Sequence, residues 1–328
     1  MFRRIAAAVS AAILSVSLVS CSMTERSVNE VVHSTEVPPK MMFLGDSIAA
    51  GYGLEGYTDT DNYHCRSYSN ILKEEYAEEL RGKCGHTMVN KAVSGATSAE
   101  LIDQIRSGEL DVDLADSDAI VISIGGNDLL GIMLDLFDSM GISESGSFDS
   151  GNIDFFSAAA LLLSIDSDAD KALEQFEVNI KTIAAELSGR TEGTIYIQTL
   201  YDPLEYYTKF KRVTEFSGKK IGRLNEIITE NSSCGYKVID VAADFKGKAG
   251  SLTNIAAFDI HPNAQGHELI AKDVDAAFRS TGFTYTTTEY GDRQLSSEGR
   301  IVIGGIIAGM AFLAVVGLAL LLRKKKEK

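Results

Sequence analysis

Short apolar runs alternate with stretches of helical spacing through the middle of the chain. Met41–Leu44 is such a run and closes on Gly45. Thr87–Val93 has strand character, Ala119–Ile124 reads AIVISI, and Thr194–Leu200 (TIYIQTL) and Lys237–Val241 follow. A continuous β-rich run such as AIVISI is the pattern of a strand buried on both faces. Between the runs, Ser67–Arg81 places Ile71, Leu72, Tyr76 and Leu80 on one side of a helix. Ser98–Ile105 reads as a short helix opened by Ser98, with Leu101, Ile102 and Ile105 inward. Lys219–Thr229 and Ala264–Phe278 read as two more, the second closing the domain. Strand–helix alternation at this spacing predicts an α/β three-layer sandwich, with a central parallel sheet covered by helices on both faces. There is no internal repeat.

Residues 125–193 interrupt the rhythm. They hold LLGIMLDLF, the Gly/Ser-rich SESGSFDSGN and FFSAAALLLSI before a charged helix near Asp168–Leu187. That is more chain than one crossover helix needs, so 129–167 reads as an insertion over the sheet edge. Its apolar residues (Leu129, Leu130, Ile132, Met133, Leu134, Leu136, Phe137, then Phe155, Phe156 and Leu161–Leu163) suit either an acyl-chain pocket or ordinary packing onto the core.

The two ends follow a different pattern. Arg3 and Arg4 precede an apolar run from Ile5 to Val19 and then small residues, the layout of a secretory signal over 1–21. Leu18-Val19-Ser20-Cys21 also resembles a bacterial lipobox, in which the Cys carries lipid. Ordinary cleavage after Ser22 is the other reading. At the far end, the 22 residues from Ile301 to Leu322 carry no charge, and about 20 suffice to cross a bilayer core. The basic tail 323–328 follows at once, and such flanks stay cytoplasmic. A single transmembrane helix at 301–322 would put the intervening chain outside the cell. Gly305 and Gly309 form a GxxxG pair able to join helices, and no LPxTG-like sorting motif precedes the span. The polar segments 22–39 and 282–300 read as a linker and a stalk, leaving 40–281 as the folded domain.

Charge sharpens this picture. The chain of 328 residues carries a net −15, yet its last six residues carry +4 and Arg3 and Arg4 add +2. The body is therefore more acidic than the total, and the net positive charge lies at the two ends. An acidic body argues against nucleic acid as a partner and disfavours polyanionic substrates. Four cysteines are too few for a disulfide scaffold. Cys65 and Cys84 bracket a helix whose fifteen residues span roughly 22 Å, beyond disulfide reach. With Cys234 left over, no essential disulfide is expected.

Four short segments carry candidate chemistry. Gly45-Asp46-Ser47 follows the first run, Ser94-Gly95-Ala96 the second, and Gly125-Gly126-Asn127-Asp128 the third, while Phe258-Asp259-Ile260-His261-Pro262-Asn263 precedes the closing helix. In a parallel sheet these strand ends share one edge, where doubly wound folds place their sites. A Ser, a Gly N–H, an Asn amide and a His would converge there. Acyl transfer needs that set: a nucleophile, a base for its proton and donors for the oxyanion.

Taken in order, the four blocks resemble the SGNH (GDSL-type) hydrolase family over roughly 40–281. The resemblance implies a flavodoxin-like SGNH hydrolase fold. It implies Ser47 as nucleophile, His261 as general base, and an oxyanion hole from Ser47 N–H, Gly95 N–H and the Asn127 side chain. Family members are esterases, lipases, lysophospholipases and carbohydrate O-acetylesterases, and none needs a metal or other cofactor. A small-molecule, lipid or glycan ester is the expected substrate. A silent binding module that keeps the fold is the rival reading, and the complete set of Ser47, Gly95, Asn127 and His261 speaks against it. One position departs from the family pattern. The usual Asp-x-x-His would put the acid at 258, where this chain has Phe258; Asp259 lies only two before His261. Either Asp259 reaches the imidazole, or it is a turn or capping residue and a backbone carbonyl orients His261. Among the other histidines, His33 lies in the linker, His64 and His86 flank a helix, and His267 has a surface or capping position on the closing helix. No cluster has metal-ligand spacing.

Overall fold

The computed structural model describes residues 23–139 and 155–326. The signal and lipobox segment, and the Gly/Ser-rich middle of the expected insertion, lie outside the described residues. The described residues divide into two units, one within 34–285 and the other formed by the segments 23–33 and 286–326.

In the larger unit, five strands form one parallel sheet: β2 (Lys40–Gly45), β3 (Thr87–Asn90), β4 (Ala119–Ser123), β5 (Thr194–Gln198) and β6 (Lys237–Ile239), in the order β3-β2-β4-β5-β6. The helices are α1 (Ser47–Ala50), α2 (Tyr68–Glu79), α3 (Ser98–Arg106), α4 (Asp111–Asp116), α5 (Gly126–Ser139) and α6 (Phe155–Ser188). They continue with α7 (Lys211–Glu230), α8 (Val241–Phe245), α9 (Ala249–Leu252) and α10 (Ala264–Thr281). Strand alternation sorts the apolar residues into two layers. Met42, Leu44, Ile120, Ile122, Ile195 and Ile197 face the helices α3 to α7. Met41, Phe43, Val121 and Tyr196 face α2 and α10. Each face is thus roofed by helices, which is why the strands read as unbroken apolar runs.

The chain builds β3 on one side of β2 and then crosses to place β4 on the other. The carboxyl end of β2 is therefore the topological switch point, where open α/β sheets leave a crevice. Gly45 ends the strand there, and Asp46 and Ser47 lie just beyond it.

The expected insertion takes a different form. α6 is one helix of 34 residues beginning at Phe155, and the charged helix expected near Asp168–Leu187 is its second part. Its sequence contains no Gly or Pro to break it. On the preceding side α5 runs to Ser139, with Leu129 buried in the core and Ile132 packed against it. For these two residues, core packing is the reading that holds. A buried lysine ties α6 to α7: Lys220 lies 1% exposed, 2.7 Å from Asp166 and 2.5 Å from Asp170. α3 is capped by Thr97 rather than opened by Ser98, in a capping box with Glu100.

The smaller unit corrects the linker and stalk readings. Thr24–Thr35 (β1) and Phe283–Leu295 (β7) are strands and pair in a two-stranded sheet. Contacts of His33 with Thr287, Ser27 with Gly291, and Met23 with Ser296 run in opposite directions, so the ribbon is antiparallel. Alternating Thr, Val and Tyr favour strands even though the ribbon buries little; hydropathy alone therefore misses them. At its end the Ser296 N–H donates to the Met23 carbonyl at 2.9 Å. Helix α11 (Ser297–Lys326) starts there, and a Cβ on Gly299 would lie 2.2 Å from that carbonyl. Within α11 the stretch Ser297–Ala319 is long and apolar enough to cross a membrane, with mean hydropathy 2.6.

Two glycines give a test of packing. Gly45 has φ +113, and a Cβ there would sit 1.8 Å from the Ser123 carbonyl oxygen. Gly222 lies on the exposed face of α7, where a Cβ meets nothing within 4 Å. Denaturant unfolding should show Gly45→Ala losing more than about 2 kcal/mol or failing to fold. Gly222→Ala should gain about 0.5–1 kcal/mol from helix propensity. Equal stability of Gly45→Ala and the parent chain would contradict the packing at the end of β2.

Candidate active site

The turn after β2 is held from three directions. Gly45 supplies the positive φ, its carbonyl accepts from Val93 N–H at 2.8 Å, and Asp46 N–H donates to the Ser123 carbonyl at 2.9 Å. Asp46 then caps the one-turn helix α1, accepting from Ile48 N–H at 3.1 Å and from the Ser123 hydroxyl at 3.2 Å. Ser47 is the first residue of that helix, and Gly51, with φ 86, closes it. The Ser47 backbone is thus fixed by both neighbouring strands.

His261 arrives from the opposite end of the chain, on the loop before α10. Its Nε2 lies 2.9 Å from Ser47 Oγ. Its Nδ1 lies 2.5 Å from Asp259 Oδ1, and the same oxygen accepts the His261 backbone N–H at 3.0 Å. With Nδ1 protonated toward the carboxylate, the Nε2 lone pair faces the serine hydroxyl. Of the two orientations open from sequence, the structure has the carboxylate and not a backbone carbonyl at Nδ1.

The two-residue spacing works because of Phe258. It is the one non-glycine residue with positive φ among the described residues, at 62°. That left-handed step turns the chain so that Asp259 folds back over His261. The loop is braced by Asn254, whose N–H donates to the His261 carbonyl at 3.0 Å and whose amide donates to Asp259 Oδ2 at 3.3 Å. Tyr201 Oη–H donates to the Ile260 carbonyl at 2.8 Å. Asn263 then caps α10 through Gln265 and Gly266 N–H.

The other two predicted residues follow the strands on either side of β2. Gly95 follows β3 with φ 85, and a Cβ there would meet nothing within 4 Å. Asn127 lies in the first turn of α5, after β4. One N–H of its amide is taken by the Ala96 carbonyl at 2.9 Å, which ties the two loops together. Asp128 accepts from the Ser98 N–H at 2.9 Å and from the Ser98 hydroxyl, so the loop is anchored to α3 as well.

Several residues at the site were given no role by the sequence. Asp46 is buried beside the serine, and burial pushes its carboxyl up to about 7 despite the hydrogen bonds it accepts. Tyr52 donates its N–H to the Ser47 carbonyl at 3.0 Å, and its ring lies 4.6 Å from that of His261. Asn254 stands five positions before Asp259, with no motif to mark it. His267 is a correction: it is fully buried, not at the surface, and stacks on Tyr68. Burial, then the nearby His261, lower its pKa to about 3, so a neutral Nδ1 accepts the Tyr68 N–H at 3.3 Å. Among the described residues no group of three or more His, Cys, Asp or Glu is arranged to hold a metal ion. Cys65, Cys84 and Cys234 are free thiols.

A three-layer α/β fold with a Ser–His–Asp hydrogen-bonded chain at its switch point defines the class. The family model described as GDSL-like Lipase/Acylhydrolase matches residues 43–269, and the chain belongs to that family. A relative from Bacillus subtilis (strain 168), the uncharacterized protein YpmR, is 22% identical over 248 residues, covering 73% of this chain and 81% of the relative. Among solved structures, the lipase Lip_vut3 from a goat rumen metagenome aligns at TM-score 0.54 and 20% identity, over 73% of this chain and 96% of that one. An extracellular lipase from Streptomyces rimosus aligns at TM-score 0.52 and 17% identity, over 73% and 99% respectively. These two likenesses establish the shared fold.

The buried carboxyl next to the serine leads to a pH prediction. The folded-state pKa of Asp46 is raised above its ordinary value, to about 7. Its contribution to stability is therefore fully present below about pH 4 and is lost as pH rises through about 7. Asp46→Asn cannot ionise but keeps a side-chain acceptor for Ile48 N–H. Its unfolding free energy, measured by denaturant from pH 4 to 8, should fall less steeply with pH than that of the parent chain. Identical slopes would mean that Asp46 is not raised by burial.

Proposed function

We propose that the protein is a serine ester hydrolase that transfers an acyl group to Ser47 and then to water. The observation that carries this reading is the continuous hydrogen-bonded chain from Ser47 Oγ through His261 to Asp259. Ser47 Oγ attacks the ester carbonyl as its proton passes to His261 Nε2. Asp259 at Nδ1 holds the required tautomer and offsets the charge of the imidazolium that forms. The Ser47 and Gly95 N–H groups and the Asn127 amide serve as donors to the oxyanion. The imidazolium then protonates the departing alkoxide. In the second half, water loses a proton to Nε2, attacks the acyl carbonyl and regenerates Ser47. No step calls for a metal or cofactor. Membership of a lipase/acylhydrolase family agrees with this chemistry. A module that only binds would have no reason to keep the serine, histidine and carboxylate aligned.

The same reading places the hydrolase outside the cell, held by α11 with its basic end in the cytoplasm. Pairing of Met23 with Ser296 supports an anchorage at which both chain ends meet the membrane together. In this reading Cys21, two residues before Met23, is the lipid-bearing N-terminus left by signal cleavage.

Ser47→Ala should abolish hydrolysis of p-nitrophenyl acetate while leaving thermal unfolding nearly unchanged; an unchanged turnover number would refute the serine mechanism. Asp259→Asn should lower turnover by up to ~10⁴-fold, and Asn127→Ala by about 10²–10³-fold. A loss under about tenfold in Asp259→Asn would leave a Ser47–His261 dyad. A chain-length series from acetyl to palmitoyl esters reads the acyl preference directly.

Deleting 301–328 should leave the active protein on the membrane through Cys21. Adding Cys21→Ala to that deletion should release it to the medium. Release by the deletion alone would show that Cys21 carries no lipid.

A further inference from the structure

Phe258 has no place in the core. The residue is 47% exposed, and its backbone is in the left-handed region where glycine or asparagine is favoured. The turn that brings Asp259 to His261 needs a positive φ but no aromatic ring. A bulky side chain retained in a disfavoured conformation at a site points to a role for the side chain itself. That ring stacks on Tyr207, with centroids 6.0 Å apart and planes 25° from parallel. Tyr207 is packed in turn against a small apolar cluster of Leu204, Val213 and Ile255, and its hydroxyl donates to the Ile255 carbonyl at 3.2 Å. The stack therefore has a rigid backing. A second ring stands against the histidine: Tyr52, 42% exposed, lies against His261 and meets Tyr57 edge-on at 5.6 Å. Tyr57 Oη–H donates to Asp59, so this second stack ends in a polar rim.

We propose that Phe258 on Tyr207, together with Tyr52, forms a split aromatic platform that binds the sugar ring of an acylated glycan beside Ser47. The proposal rests on the ester-hydrolase reading of the site and supplies its substrate class. One face of a pyranose is made of C–H bonds with partial positive charge, which pack on the negative face of an aromatic ring. Its hydroxyls project from the edges and need polar groups around the ring. Isolated half-exposed rings with carboxylate and hydroxyl neighbours offer both. A long acyl chain asks instead for a continuous enclosed apolar trough. The acidic body of the protein also repels an anionic lipid surface.

Phe258→Gly tests this without removing any group of the proposed acyl-transfer machinery. Glycine keeps the left-handed turn and lacks the ring, whereas Phe258→Tyr keeps a ring. The full-length protein in detergent is assayed on p-nitrophenyl acetate, on an acetylated xylo-oligosaccharide and on phosphatidylcholine vesicles. Phe258→Gly should raise KM for the oligosaccharide about tenfold with kcat little changed, the scale of one lost ring contact. Its kcat/KM on p-nitrophenyl acetate reads any effect on the turn that carries Asp259, so the oligosaccharide KM should rise about tenfold beyond whatever change that small ester shows, and its thermal midpoint should not fall. Phe258→Tyr should restore the oligosaccharide KM. Calorimetric binding of the deacetylated xylo-oligosaccharide to full-length Ser47→Ala, with and without Phe258→Gly, reads the platform independently of catalysis. Failure of the parent chain on every ester, with sugar binding intact and lost on Phe258→Gly, would overturn the hydrolase reading and leave the platform standing. An unmoved oligosaccharide KM and unmoved binding would overturn the platform. So would a Phe258→Gly defect confined to the phosphatidylcholine vesicles, which would make the ring a lipid contact.

Discussion

The backbone contact between Gly45 and the Ser123 carbonyl governs the geometry of the site. Only a residue without Cβ, with φ +113, lets the end of β2 turn this close to β4. The turn directs Asp46 N–H onto the same carbonyl and starts α1 at once, so Ser47 is placed by sheet register and not by loop conformation. Val93 N–H, bonded to the Gly45 carbonyl, couples the loop carrying Gly95 to the same point. Asn127 is tied to that loop through the Ala96 carbonyl. Three strand ends are thus locked into one unit, and only His261 and Asp259 come from elsewhere. Sites set on sheet edges hold their geometry better than sites on loops, which suits a reaction that tolerates little misplacement.

Burial of acidic groups sets the electrostatic character of this unit. Asp46 is raised to about 7 mainly by desolvation, with Asp128 adding to the shift. Its neutral form places no negative charge beside Ser47, where the proposed acyl transfer would develop an anion. Desolvation raises Asp118, Asp202 and Asp273 as well, Asp273 also to about 7 with Asp244 as its close carboxyl neighbour. Carboxyls whose pKa is raised by burial contribute stability that is present at low pH and lost as pH rises, opposite to carboxylates held in ion pairs. The exposed ion pairs here contribute little to that balance.

The sheet was legible because its strands are buried on both faces; AIVISI admits few other readings. The strand ends that carry Ser47, Gly95 and Asn127 followed from the same runs. Elements without a buried face were not legible. The β1–β7 ribbon lacks a core, so its alternating Thr and Val positions looked like linker. The start of α6 looked like part of an insertion because its apolar content exceeds what an amphipathic crossover requires. His267 looked like a surface residue because helical spacing cannot report that α2 packs over it. Only the partner element, 199 positions earlier at Tyr68, reveals that it is an internal hydrogen-bond acceptor.

The shortened Asp259–His261 spacing shows how a departure from a motif can be resolved by one dihedral angle. With two residues between acid and histidine, an extended strand separates the side chains. With one, the carboxylate must fold back onto its own backbone. Asp259 does so by accepting both the His261 backbone N–H and its ring N–H on Oδ1. One oxygen thereby fixes the ring and the chain that carries it, while Asn254 secures the other oxygen. The reversal this requires falls on the preceding residue, and its left-handed φ is the cost. The backbone needs only a glycine or asparagine there. A half-exposed phenylalanine satisfies the turn less well, and its ring stacks on Tyr207, so the residue that displaces the acid from its usual position is also the one that the proposed platform uses to hold substrate.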